Sequence, residues 1–422
     1  MEKKKVIVVG AGFAGVTLSK KLDKNLFDVL LIDKLNHHQF QPLFYQVATS
    51  QIEPSSISFP IRNIFKNQNH VQVRMAEVLS IHQETNSIST TIGEFQYDYL
   101  VLAMGCKTNF FGNENISKHA FTLKSTYDAI TIRNHILQVF EKMTHVSEEE
   151  KESLYNLIVV GAGPTGVELS GAFAEIKKHI LPVDYPGIDF SKFKIFLVEG
   201  SNHTLNNMSE KSKKESETYL EKMGVTIIKN TFVQDYDGET IALNNGETIH
   251  SKTVIWAAGV IANTMEGMPE IAKLPGNRIK VDRQNKVEGS SNIFAIGDIA
   301  NMPTEKYPKG HPQLANVAIN QAKLLAKNLK AGLRSKPFQS FEYTDLGNMA
   351  TIGRNKAVVD FPFMHIKGYF AWLIWMSLHL MLILSVRNKL IIFINWAWAY
   401  LTKDTSLRLI LSPSKKVGSL AK

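Results

Sequence analysis

Apolar residues arrive along this chain in short, unbroken, largely β-branched runs that stop at glycines. The first, Lys5-Val6-Ile7-Val8-Val9, leads straight into Gly10-Ala11-Gly12-Phe13-Ala14-Gly15-Val16. A continuous apolar run, rather than an alternating one, predicts a strand buried on both faces, as in parallel sheets. After Gly12 the apolar spacing becomes that of a helix. The next run, Val29-Leu30-Leu31-Ile32, closes on Asp33. Two runs end in small residues, one at Ala103-Met104-Gly105 and one at Ala257-Ala258-Gly259. Another, Asn292-Ile293-Phe294-Ala295-Ile296, leads to Gly297-Asp298 at an expected helix start. Shorter runs at 71–81 and 87–92 flank Asn86 and predict a hairpin. Helices are expected over 123–151, which ends in a solvated charge run, and over 209–223, which Gly224 closes as a C-cap. Strands are expected at 225–228, 240–243 and 248–250, with a turn at Asn244-Asn245-Gly246.

The glycine spacing carries chemistry. In G-x-G-x-x-G, Gly10 permits the tight turn and Gly12 lets the backbone approach a pyrophosphate. Gly15 lets helix and strand pack closely, and phosphates then sit on the helix N-terminus. Asp33, closing the neighbouring strand, is placed to bond a ribose hydroxyl. The whole pattern repeats at Leu157-Ile158-Val159-Val160-Gly161-Ala162-Gly163-Pro164-Thr165-Gly166-Val167-Glu168, and its next strand, 194–198, closes on Glu199. A Pro-, Gly- and Asp-containing excursion at 180–193 lengthens the second copy. A carboxylate at Glu199 accepts a ribose 2′-OH and repels a 2′-phosphate, which predicts NADH over NADPH. Two complete fingerprints predict two dinucleotides on one chain. Asp298 has two readings, a helix cap or an acceptor for a ribityl hydroxyl. The segment 37–49 is too polar and irregular for a core strand and is expected to be a loop lining a cofactor. His37 and His38 are adjacent, without the i, i+4 spacing of a helical metal pair, so no metal site is expected.

Composition and charge change the picture at the C-terminus. The net charge of +9 is uneven: 387–422 carries seven Lys or Arg against Asp404 alone, or +6. Nucleic acid and anionic membrane both suit such a tail. Its Trp, Ile, Leu and Phe neighbours favour membrane. Residues 368–386 are 19 positions without a formal charge, marginal for a span, and 390–402 are only 13. Trp396, Trp398 and Tyr400 suit an interface. A monotopic anchor is therefore expected; the alternatives are a spanning helix and an apolar core buried in a homodimer. The single cysteine, Cys106, rules out an internal disulfide, a C-x-x-C redox pair and a multi-cysteine metal site. Lys3-Lys4-Lys5 before an apolar run imitates a signal peptide, but cleavage there would destroy the Gly10 loop, so no targeting segment is read. A chain of 422 residues has room for two or three domains.

Together the two glycine loops, the small-residue strand ends and Gly297-Asp298 resemble the two-dinucleotide-domain flavoprotein family. The resemblance implies an α/β fold of two Rossmann-like domains, the second inserted in the first, plus a C-terminal amphipathic helical membrane anchor. It implies a non-covalent FAD-binding domain at 1–115 and 280–335, an NADH-binding domain at 116–279 led by a helical linker, and C-terminal strands and anchoring helices at 336–422. Gly10, Gly12, Phe13, Ala14, Gly15, Asp33, Lys34, Val78, Ala103, Gly105, Gly297, Asp298 and Ala315 would hold FAD. Gly161, Gly163, Pro164, Thr165, Gly166, Glu199, Ala258 and Gly259 would hold NADH. Disulfide reductases, NADH peroxidases and oxidases, and sulfide:quinone oxidoreductases of this fold use cysteines that this chain lacks.

Within that family, Gln41-Pro42-Leu43-Phe44-Tyr45-Gln46-Val47-Ala48-Thr49, Gly347-Asn348-Met349-Ala350-Thr351-Ile352-Gly353-Arg354-Asn355-Lys356-Ala357-Val358-Val359 and the aromatic run 375–398 resemble type II NADH dehydrogenases, the single-subunit NADH:quinone oxidoreductases. That resemblance implies a quinone acceptor, a seat on the cytoplasmic face of the cell membrane and, with one anchor and no polytopic segment, no proton pumping. The family's quinone motif A-Q-x-A-x-Q reads Ala315-Asn316-Val317-Ala318-Ile319-Asn320 here. Each Asn keeps the amide and shortens it by one methylene. Glu168 is implied near nicotinamide and flavin as a proton donor to quinone; the competing reading is a first-turn acid facing the helix dipole. Two further readings remain. One is a soluble NADH:ferredoxin or rubredoxin reductase, and the other a non-enzymatic flavin-bound sensor or scaffold. The apolar tail argues against the first and turnover would decide the second.

Overall fold

The computed structural model describes residues 2–405 and 407–411. The chain forms two compact units. The first comprises Met1–Gln39, Phe59–Lys107 and Val260–Thr344, the second Phe40–Ser58, Thr108–Gly259 and Asp345–Lys422.

The first unit is built on a five-stranded parallel sheet. Its order is Ile293–Ala295, Tyr99–Leu102, Lys4–Val9, Phe27–Asp33, Val71–Met75. Val6 pairs with Val29 on one side and Tyr99 on the other. The pleat sends Val6 and Val8 into one apolar cluster and Ile7 and Val9 into another, which is why the run reads as unbroken Val and Ile. Helices Phe13–Lys21 and Ala315–Gly332 cover the first face. An antiparallel sheet of Val78–His82, Ser87–Thr90 and Gly93–Gln96 contains the expected hairpin.

The second unit repeats the plan. Its parallel sheet runs Phe121–Thr122, Thr253–Trp256, Asn156–Val160, Lys194–Val198, Val225–Ile228. Again the glycine-loop strand lies between the acid-ended strand and the small-residue-ended one. A three-stranded antiparallel sheet, Val233–Tyr236, Thr240–Leu243 and Thr248–His250, follows. The expected helix over 123–151 is two helices, Thr126–Met143 and Glu148–Lys151. Ser125 caps the first, accepting from Asp128 N at 3.0 Å. Ser147 restarts the chain as a second cap, so the charge run is a first turn rather than a last one. Helix Glu210–Lys222 starts at the cap Ser209 as its sequence predicts.

Three expectations change. Segment 37–49 is not an open loop. It forms the short strand His37–Gln39, a 3₁₀ turn and a buried helix Phe44–Ala48. Asp298 does not start an α-helix: Gly297–Ile299 is a single 3₁₀ turn leading into Ala300–Asn301. The tail breaks at 383–385, not at its first charge, giving helices Tyr369–Leu382 and Val386–Thr402. Lys389 is accommodated inside the second by donating to Met381 O at 2.9 Å. No described helix is long and apolar enough to cross a membrane. The basic end, Lys415, Lys416 and Lys422, lies outside the described residues.

Candidate active site

The two glycine loops match bond for bond. Gly10 N donates to Ile32 O at 2.8 Å, and Gly161 N to Val198 O at 2.8 Å. Asp33 Oδ2 accepts from Ala11 N at 2.6 Å and Oδ1 from Leu35 N at 2.7 Å. Glu199 repeats this with Ala162 N at 2.6 Å and Ser201 N at 2.8 Å. Each acid thus braces its loop while keeping lone pairs for hydroxyls. Burial raises the Asp33 pKa above its ordinary value, against the two backbone bonds that lower it. Gly15 and Gly166 are obligatory, because a Cβ there would overlap Gly10 O and Gly161 O. Gly12 and Gly163 are different. Nothing lies within 4 Å of where their Cβ would be. This open space lies at the N-terminus of each following helix. The chain therefore has two cradles of the shape and polarity a dinucleotide needs.

Around these cradles the residues expected to hold cofactors divide by exposure. Phe13, Val78, Gly105, Gly297, Asp298, Ala315 and Ala258 are half-buried, Ala14 and Ala103 buried, and Lys34, Pro164, Thr165 and Gly259 exposed. In the first unit, Gln313 Nε2 donates to Asp298 O at 3.0 Å and Gly297 N to Gln321 Oε1 at 2.8 Å. These bonds hold the 3₁₀ turn. Asn320 Nδ2 donates to Asn316 Oδ1 at 2.9 Å along helix Ala315–Gly332. Asn316 Nδ2 is buried without a partner among the described residues.

The second unit holds a cavity of about 90 Å³ along helix Pro164–His179. The helix packs so closely on strand Asn348–Gly353 that a Cβ on Gly171 would overlap Ile352 O. Glu168 lies at the fifth helical position, past the first turn, and is buried. Burial pushes its carboxyl up to about 8, against bonds from Thr351 N–H and the Trp375 indole. The indole is not held in a well-formed hydrogen bond: Trp375 Nε1 finds no partner among the described residues. The place of Glu168 one residue past the first turn and its burial, which favours the protonated form, both weigh against the dipole reading. Trp375 stacks on His379 at 3.9 Å between centroids. Trp396 Nε1 donates to Gln46 Oε1 at 2.8 Å and Gln46 Nε2 to the Tyr45 hydroxyl at 2.9 Å. This tethers the tail to helix Phe44–Ala48. His38 Nδ1 lies 2.8 Å from Ala11 O.

Sequence reasoning missed Gln46, Trp375, Glu175 and Gln321. Gln46 and Trp375 lie in the stretches 41–49 and 375–398 that carry the family resemblance, and Glu175 lies seven residues after Glu168 on the same helical face; Gln321 carried no signal.

The fold and sites define a pyridine-nucleotide oxidoreductase with a dedicated C-terminal module. Residues 4–322 match the family described as pyridine nucleotide-disulphide oxidoreductase, and 346–403 match the NDH2 C-terminal domain. Type II NADH:quinone oxidoreductase Ndh of Mycobacterium tuberculosis is 33% identical, covering 94% of this chain and 88% of its own. NdhA of the same organism is 32% identical over 94% and 87%. A structure of NDH2 from Plasmodium falciparum in complex with NADH aligns with a TM-score of 0.89 at 23% identity, covering 97% of this chain and 100% of that one. This chain belongs to the type II NADH:quinone oxidoreductase family.

Proposed function

We propose that the chain oxidises NADH and reduces a membrane quinone through a non-covalently held FAD, without pumping protons. The observation that carries the reading is the duplicated cradle, open at Gly12 and at Gly163 and sealed at Asp33 and Glu199. The first cradle would hold FAD, with Asp298 toward its ribityl chain and Ala103 and Gly105 beneath. The second would admit NADH, with Glu199 taking the 2′-OH and Ala258 and Gly259 beside the nicotinamide half. Bound FAD supplies two-electron transfer between nicotinamide and quinone.

The protein's own residues supply position and protons. Glu168, protonated at neutral pH, is the acid that gives a proton to quinone. Asn316 Nδ2 offers a hydrogen bond to a carbonyl oxygen. The C-terminal helices of 14 and 17 residues are about 21 and 26 Å long at the usual rise, short of a bilayer core. Phe370, Met381, Leu390, Phe393, Ile394 and Leu401 are exposed on them. That pattern supports a monotopic seat on lipid, which we place at the cytoplasmic face of the membrane.

The test is anaerobic. NADH is added to the purified yellow protein until its visible absorbance bleaches, then a quinone is added. Return of the yellow colour is the expected result, with NADPH bleaching more slowly. Failure of every quinone to restore it would overturn the proposal and leave a soluble-type reductase or a sensor.

A further inference from the structure

Reducing a quinone to a quinol takes two electrons and two protons. NADH brings the electrons and one proton on becoming NAD⁺, so each turnover draws one proton from water. Glu168 is buried and, after giving up its proton, must recover one across the protein.

Glu168, Ala172, Glu175 and His179 all line the one cavity. Their spacings of four, three and four residues keep them on a single helical face. Exposure rises along the row, from buried Glu168 to half-buried Glu175 and His179. Ala172 between the two acids leaves room that a larger side chain would fill. Glu168 and Glu175 are about 10 Å apart along the helix axis, too far for direct transfer but within reach of a water bridge in the cavity. Glu175 Oε1 accepts from Arg354 N at 2.5 Å. The Arg354 guanidinium is engaged elsewhere, donating to Ala399 O at 2.6 Å and lying over the Tyr400 ring, so it does not lock Glu175 into an ion pair. Tyr45 and Lys403 complete the charged and titratable groups on the cavity wall, and Lys356 acts on Glu175 from the facing hairpin.

We propose that Glu175 relays protons from the aqueous surface to Glu168 through this cavity, with His179 at its outer end. The proposal rests on the quinone-reductase reading above. In each cycle the Glu168 carboxyl loses its proton to the quinol oxygen. Glu175 passes a proton through water to the Glu168 carboxylate and recovers one from His179 or solvent. No bond other than O–H and N–H changes. Burial raises the Glu175 pKa and lowers that of His179, which brings donor and acceptor affinities closer together.

Glu175→Gln keeps an oxygen for Arg354 N–H and removes the exchangeable proton. In the full-length protein reconstituted in lipid, we expect its quinone-reductase kcat to fall about tenfold, more steeply above pH 7. NADH oxidation by a one-electron dye should be retained, and Glu175→Asp should restore much of the quinone rate. A second readout does not need turnover. The buried Glu168 carboxyl stretch, identified by its loss in Glu168→Gln, should exchange hydrogen for deuterium more slowly in Glu175→Gln. Equal losses with quinone and dye, or a quinone rate unchanged at every pH, would overturn the relay. If wild type reduces no quinone, the function reading fails, and the exchange rate alone decides whether the path exists.

Discussion

Replacing Glu168 by Gln removes one ionisation at nearly constant volume and keeps an acceptor for Thr351 N–H. In the folded chain the Glu168 carboxyl titrates near 8, against an ordinary 4.5. Below pH 4.5 both states hold the proton and the group is neutral for stability. Between 4.5 and 8 the unfolded chain ionises while the folded one stays protonated, so stability falls as pH rises, by up to about 1.4 kcal/mol per pH unit. Above 8 the loss is complete, at about 5 kcal/mol. The Gln variant lacks this slope. Urea unfolding of both proteins in parallel from pH 5 to pH 9, read by tryptophan fluorescence, should show the variant gaining on wild type steadily up to pH 8 and no further. A difference that does not change with pH would refute the argument, because it would mean that Glu168 titrates normally and is not desolvated.

Other outcomes follow from the same geometry. Gly12→Ala and Gly163→Ala should fold normally yet lose dinucleotide affinity by tenfold or more, since their Cβ fills open cradle space; Gly166→Ala, whose Cβ meets Gly161 O, should fail to fold its unit, as circular dichroism would report. Glu199→Ser should narrow the NADH over NADPH preference in kcat/KM by removing the charge that repels a 2′-phosphate. Trp396→Phe strands Gln46 Oε1 and should lower unfolding stability by about 1–3 kcal/mol. Arg133 is almost fully buried, with Nε and Nη2 unpartnered among the described residues; Arg133→Met should raise stability by about 1 kcal/mol or more.

Local chemistry made much of this legible beforehand. The glycine loops, their acids and the small-residue strand ends depend on backbone approach within a few dozen residues, so spacing alone located them. Ser209 and Gly224 bracketed their helix for the same reason. What escaped depends on contacts made across the chain. Gln46 meets Trp396 across 350 positions, and nothing near either residue announces the other. Segment 37–49 reads as a loop because its polar residues, His38 and Gln46 among them, find partners in Ala11 O and Trp396 Nε1 that only tertiary structure supplies. Asp298 sits in a 3₁₀ turn because the next two residues pair as a strand with Ile279–Lys280, which ends any helix before it forms.

Helix Pro164–His179 begins at the open Gly163 cradle and carries Glu168 little more than one turn later. The two features therefore share an electric field. A doubly charged pyrophosphate settling on the helix N-terminus makes ionisation of Glu168 harder, and by thermodynamic reciprocity an ionised Glu168 makes that pyrophosphate bind more weakly. Proton occupancy and nucleotide occupancy are thus coupled through one rigid element. If NADH docks there as proposed, the acid would be most firmly loaded in that complex and its discharge would loosen NAD⁺. Nucleotide docking and proton uptake by Glu168 would then favour each other, and so would proton discharge and nucleotide release.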